Sequence, residues 1–114
     1  MIYVFGSNSA GRHGKGSALV ARRTYGAVYG VGEGLTGRAY AIPTKGYKLE
    51  VLSLEQISKS VEKFKAFARL THNETFQVVK IGCGLAGYKE EQIKPMFADA
   101  PPNCMLPKGW RDVP

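Results

Sequence analysis

Ile81-Gly82-Cys83-Gly84-Leu85-Ala86-Gly87-Tyr88 follows an apolar alternating run, Thr75 to Ile81, and precedes a short charged helical stretch from Lys89. Strand, glycine-rich bend and helix in that order make the repeating unit of an α/β fold. Glycines at such a junction let the backbone turn tightly and bring its N–H groups close to a ligand. A helix that follows points its positive end at the same place. That arrangement suits an anion, above all a phosphate. A second glycine-rich loop lies near the start of the chain: Gly6-Ser7-Asn8-Ser9-Ala10-Gly11-Arg12-His13-Gly14-Lys15-Gly16. The two loops are expected to face each other across one cleft.

Elements on either side of these loops follow from pattern. Ile2 to Phe5 reads as a buried strand, β-branched and aromatic. A helix is predicted from about Ser17 to Tyr25, with Gly26 as its stop signal. Ala27 to Gly37 is rich in glycine and reads as a hairpin or long loop. Ala39 to Ile42 reads as a second strand ended by Pro43, which leaves Thr44 and Lys45 at its C-terminal end. The clearest helix runs from Leu54 to Leu70, opened by Ser53 and Gln56 as a capping box. Leu54, Ile57, Val61, Phe64 and Ala68 form its apolar stripe, and Lys59, Glu62, Lys63, Lys65 and Arg69 fall on its wet faces. Phe76 to Ile81 is a third strand, expected at the centre of the sheet. Lys89 to Ala98 is a short helix broken at Pro95. Cys104 to Leu106 is a last strand, and Trp110 lies over a hydrophobic edge.

Strands therefore alternate with helices across residues 1–114, which predicts one α/β domain with a mixed, largely parallel sheet. Ligands in such folds sit beyond the C-terminal ends of the strands. Gly6, Pro43 and Gly82 each follow a strand, so three loops meet on one rim.

Bulk properties narrow the class. A chain of 114 residues supports one core, and 44% hydrophobic with 22% charged residues fit a soluble globular protein. No apolar run is long enough to span a membrane. Met1 to Phe5 reads as a strand, not as a secretory signal. Cys83 and Cys104 lack zinc-ligand spacing, so free thiols in a reducing cytosol are the default, with no metal or cofactor expected. Net charge is +7, unevenly spread. Residues 1–48 hold seven Lys/Arg against one acid, Glu33, and ten of the fourteen glycines; the rest holds nine Lys/Arg against eight Asp/Glu. A basic, glycine-rich region points to an anionic partner, a nucleotide or a nucleic acid.

Three motifs in order — Phe5 to Gly16, Tyr40-Ala41-Ile42-Pro43-Thr44-Lys45, and Ile81 to Tyr88 — resemble the macro domain, an α/β module that binds ADP-ribose and its derivatives. The likeness is nearest to small macro-like proteins of bacteria and phages and covers residues 2–98. It implies a compact three-layer α/β/α sandwich. It implies that Asn8 lies near the distal ribose, with Gly14, Lys15 and Gly16 beside that ribose and its phosphate. Gly6 and Ser7 belong to the same loop. Gly82, Cys83, Gly84, Leu85, Ala86 and Gly87 would wrap the pyrophosphate, and Tyr88 would line the distal ribose pocket. One branch of the superfamily removes ADP-ribose from carboxylate side chains or DNA bases, using a lysine to which Lys45 corresponds. That branch places an aspartate where this chain has Ala86. The aspartate that reads the adenine amino group in macro domains also lacks a counterpart.

Function then has three readings. The first is ADP-ribose or related nucleotide binding, with hydrolysis of an ADP-ribosyl bond by water assisted by Asn8 and His13 or by a substrate phosphate. The second is a non-catalytic reader, which Ala86 favours over catalysis by Lys45. The third is a basic nucleic-acid binder using Arg12, Lys15, Arg22, Arg23 and Arg38, against which stands the shortage of aromatic stacking residues in the loops. Individual residues also have plainer roles. Asn8 can cap its own loop; His13 can be solvated in a flexible basic loop; Lys45 can be surface charge. Cys83 suits its place by small size, and Tyr29, Tyr40 and Tyr47 read as packing residues.

Overall fold

The computed structural model describes residues 1–111. Five strands form one sheet in the order β2-β3-β1-β4-β5. They are β1 (Ile2–Asn8), β2 (Gly34–Thr36), β3 (Ala39–Lys45), β4 (Phe76–Val78) and β5 (Cys104–Met105). β1 pairs in parallel with β3 and β4, and β4 with β5; only β2 runs antiparallel, against β3. The helices are α1 (Gly16–Thr24), α2 (Leu54–Leu70) and α3 (Glu90–Ile93), with a 3₁₀ turn at Lys94–Phe97. The protein is a small α/β sandwich with a mixed, mostly parallel sheet.

Alternation along β1 builds both sides of the core. Ile2 and Val4 face one way and join Ile57, Val61, Phe64, Phe76, Phe97 and Trp110 under α2 and the 3₁₀ turn. Phe5 faces the other way, with Ala18, Ala21, Ala39 and Ala41 under α1. That second layer is made of alanines, so α1 approaches the sheet closely. Tyr3 and Tyr25 stack at 4.5 Å between ring centroids and close its lower end. Burying a side chain the size of Phe5 contributes about 2–3 kcal/mol, so the larger α2 layer carries most of the stability.

α2 runs as predicted. Ser53 Oγ accepts from the Gln56 N–H at 3.1 Å, and Gln56 Oε1 accepts from the Ser53 N–H at 2.9 Å, satisfying two otherwise orphan donors. Lys65 departs from its expected wet face: it is buried, and its ammonium reaches Asp99, Glu62 and the Met96 carbonyl. Trp110 is buried against Phe97, so it belongs to the core rather than lying over an edge.

Three strand boundaries differ from expectation. β1 continues through Gly6, Ser7 and Asn8, because β3 alongside supplies partners up to Lys45. Pro43 does not end β3. β2 stops pairing at Ala41, so Pro43 sits where β3 is locally an edge and its missing N–H costs no ladder bond. β4 ends at Val78, where the backbone bends and the Ile81 N–H donates to the Val79 carbonyl at 2.8 Å. The central strand is β1, flanked by β3 and β4, rather than β4 itself.

Candidate anion-binding cleft

A cleft of about 120 Å³ opens beyond the C-terminal ends of β1 and β3. Gly6, Ser7 and Asn8 line it from the end of β1, Arg12 from the loop that follows, Gly16, Ser17 and Ala18 from α1, and Thr44 and Lys45 from β3. Lys80, Gly82, Gly84, Leu85 and Ala86 close it from the opposite side. The two glycine loops therefore meet across one opening. A Cβ built on Gly6 would lie 3.7 Å from the Gly82 nitrogen.

Several lining residues bring backbone amides that lack a backbone acceptor. In the second loop the Gly87 N–H donates to Gly84 at 3.0 Å and the Tyr88 N–H to Gly82 at 2.9 Å, which fixes the bend. Among the described residues, the N–H groups of Gly82, Gly84, Leu85 and Ala86 donate to no other backbone group. On the facing side, Gly16, Ser17 and Ala18 precede the first bond from α1 back to Lys15, made by the Leu19 N–H at 3.2 Å. Their N–H groups are therefore the orphan donors of a helix N-terminus. This helix end is the one the cleft uses. The expected one, after residue 88, differs: α3 is only four residues long, carries Glu90 and Glu91 in its first turn, and stays out of the lining.

Three cations and no acid line the opening: Arg12, Lys45 and Lys80. Lys80 is partly neutralised by Glu90 at 3.1 Å. The Glu90 carboxyl is held below the usual carboxylate range, first by the Trp110 indole N–H and then by Lys80. Arg12 is placed by Asn8. Asn8 Oδ1 accepts from the Arg12 N–H at 2.9 Å and Asn8 Nδ2 donates to the Arg12 carbonyl at 3.0 Å. The Asn8 amide thus closes its own loop, as a capping residue does. Ser7 donates to the Gly32 carbonyl, and Thr44 to the Ser7 carbonyl at 3.3 Å, tying the rim to the segment just before β2.

Several residues chosen from sequence lie elsewhere. His13 is not in a flexible solvated loop: it is 0% exposed, and neither ring nitrogen has a hydrogen-bond partner. Its ring meets Phe5 and Tyr29 edge-on. Burial lowers its pKa, Arg22 lowers it further, and the nearby Val31 backbone offsets part of this without reaching hydrogen-bond geometry. Gly14 and Lys15 are exposed beside the cleft rather than in its wall, and Gly87 is likewise outside the lining. The Tyr88 hydroxyl donates to the Leu52 carbonyl at 2.6 Å, and its ring packs against the main core. Cys83 also turns away, toward the core, and burial raises its thiol pKa. Both cysteines are free, and Cys104 is pushed up to about 11 by burial.

Sequence reading did not name Arg12, Ser17, Ala18, Thr44 or Lys80 as residues of this cleft, and gave Arg12 only to a nucleic-acid patch. Lys80 could have been found, since it stands two residues before the bend at Gly82. Ser17 and Ala18 follow from moving the positive helix end from α3 to α1.

No family model matches the chain, and neither does any curated protein. Two solved structures from Bacteroides thetaiotaomicron share its architecture. One is described as a protein of unknown function, at 17% identity and a TM-score of 0.59, covering 87% of this chain and 80% of the other. The second, a crystal structure, is 18% identical with a TM-score of 0.56, covering 87% and 81%. At such identities the likeness is one of fold.

Proposed function

We propose that the cleft binds the diphosphate of a nucleotide of the ADP-ribose type. The supporting observation is that N–H groups of the second glycine loop and of the α1 N-terminus, without backbone acceptors, lie with three cations in the lining of one opening that has no acid in its wall. Backbone donors of this kind hold negative charge without titrating. The volume also fits. A cleft of about 120 Å³ is smaller than the pockets that swallow a whole drug-sized ligand, so it suits the phosphates and leaves the rest of the nucleotide on the rim.

Binding without catalysis is the better reading of this site. Hydrolysis needs a group to manage a proton, and the wall offers no carboxylate and no imidazole. Ala86 lines the same cleft as Lys45 and stands where the lysine-dependent branch has an aspartate. His13 is sealed behind Tyr29 and Phe5.

Calorimetry with ADP-ribose, ADP, AMP and pyrophosphate tests this reading. We expect ADP-ribose, ADP and pyrophosphate to bind and AMP to bind more weakly. Gly84→Val is the decisive variant. A Cβ at Gly84 meets nothing within 4 Å, so the fold accepts it, while the side chain enters the space a phosphate needs. A fall of at least about tenfold in affinity at unchanged melting temperature is expected, since each charge-assisted hydrogen bond contributes roughly 1.5–3 kcal/mol. Unchanged affinity rules out the cleft. If product release from ADP-ribosylated substrates is detected and vanishes in Lys45→Ala, the protein is a hydrolase and not a reader.

A further inference from the structure

Beyond the cleft, the first half of the chain carries a line of cations that no acid answers. Among the described residues, Arg12, Lys15, Arg22 and Arg23 make no salt bridge. All four are exposed. Arg12 stands in the cleft wall, Lys15 caps α1, and Arg22 and Arg23 occupy its last turn. Lys15, at the N-cap, and Arg22 are seven residues apart, about 10 Å along the helix axis. Arg38 is not part of the line, because it is taken by Glu74 at 2.8 Å.

Beside Arg22 stands Tyr29. It is 56% exposed, with the Arg22 guanidinium carbon 5.4 Å from its ring centroid. His13 meets it edge-on, and no other protein ring stacks on its face. Tyr40 is buried packing as expected, but Tyr29 is not. A tyrosine flanked by a guanidinium is a platform for a base.

We infer that this strip holds a single-stranded nucleic acid, its phosphates on Lys15, Arg22 and Arg23 and a base on Tyr29, with its end directed by Arg12 into the cleft. Only that last detail rests on the cleft reading. A duplex hides the base faces that Tyr29 needs, and an acidic peptide has no ring to stack there.

The test is fluorescence anisotropy with a 5′-phosphorylated oligothymidylate, labelled at its other end, across a salt series. Four phosphate contacts on a single strand predict a fall of about 50-fold between roughly 50 and 200 mM salt. Arg22→Ala combined with Arg23→Ala should flatten the log–log slope by about 1.4. Tyr29→Ala should weaken binding about tenfold, while Tyr29→Phe keeps it. Neither change should alter pyrophosphate affinity. The inference is overturned if these variants bind the oligonucleotide as wild type does, or if polyglutamate or phosphatidylserine vesicles bind as tightly. If wild type fails to bind pyrophosphate yet shows the full slope, the cleft reading falls and the strip stands.

Discussion

On the α2 side of the sheet, Lys65 sits 2.6 Å from both Glu62 and Asp99, and Lys59, Lys63 and Arg69 each reach a carboxylate. On the α1 side and the rim, Arg12, Lys15, Arg22, Arg23 and Lys45 reach none among the described residues. The difference separates two uses of charge. Behind the sheet every one of these cations has a carboxylate, and Lys65 and Arg69 use theirs to hold the 3₁₀ turn and residue 99 against α2. At the rim they are left open to solvent, around loops whose conformation depends on backbone bonds and glycine. One region spends its charges on internal contacts, and the other leaves its positive potential open to solvent.

The glycines sharpen that contrast most strongly, because two loops of similar composition answer alanine differently. A Cβ on Gly32 would fall 2.3 Å from the Asn8 carbonyl oxygen and 2.6 Å from that of Ser9. Those are backbone atoms that cannot step aside. Gly32→Ala should therefore cost at least about 3 kcal/mol, or prevent folding, as read by urea denaturation. Gly84→Ala, in open space, should stay within about 0.5 kcal/mol of wild type. If Gly32→Ala were equally mild, the packing of the rim against residues 30–33 would be looser than the close approach of Gly32 to Asn8 and Ser9 implies.

Next in size is the ion cluster. Asp99→Ala leaves Lys65, only 2% exposed, with Glu62 and the Met96 carbonyl alone. We expect a loss of about 1–2 kcal/mol, less than for a fully buried pair because the Asp99 side chain is 68% exposed and screened. The hydrogen bond from Lys65 holds the Asp99 carboxyl below its ordinary value of 3.8. Its contribution is therefore present above that pH and lost as pH falls through the folded value. Arg22→Ala, at the rim, should change stability by less than about 0.5 kcal/mol. Equal costs for the two variants would dissolve the distinction between the regions.

The sequence made the α2 region legible and the rim only in part. The capping box at Ser53 and the stripe from Leu54 to Ala68 are local signals, and they specify the helix almost alone. Lys65 broke the pattern because its acids are supplied partly from residue 99, far along the chain. The two glycine loops were visible as loops, and their meeting followed from strand–loop–helix order. Which residues face inward did not follow. Gly82 and Ala86 reach the cleft while Cys83 and Tyr88 turn to the core, a choice made by the bonds from Tyr88 to Gly82 and to Leu52. Nor could the centre of the sheet be read, since β4 becomes the second strand from one edge only through its pairing with β5.

His13 yields the smallest effect and a distinct one, because it lies at the rim but is buried like the back of the sheet. Its ring is closed in by Phe5 and Tyr29 and faces the charge of Arg22 from α1. Burial lowers its pKa from the ordinary 6.5, so the folded protein holds it neutral where the unfolded chain takes up a proton. Below the unfolded value the unfolded state binds more protons, and stability must fall as pH drops from about 6.5 toward the folded pKa. The melting temperature should therefore decline through that window, and the decline should flatten in His13→Leu. Leucine also removes two unpartnered nitrogens, so the variant should be at least as stable as wild type at neutral pH. A slope unchanged by the substitution would mean that the ring is hydrated in solution, and that this part of the rim opens more readily than the packing of Phe5 and Tyr29 around it implies.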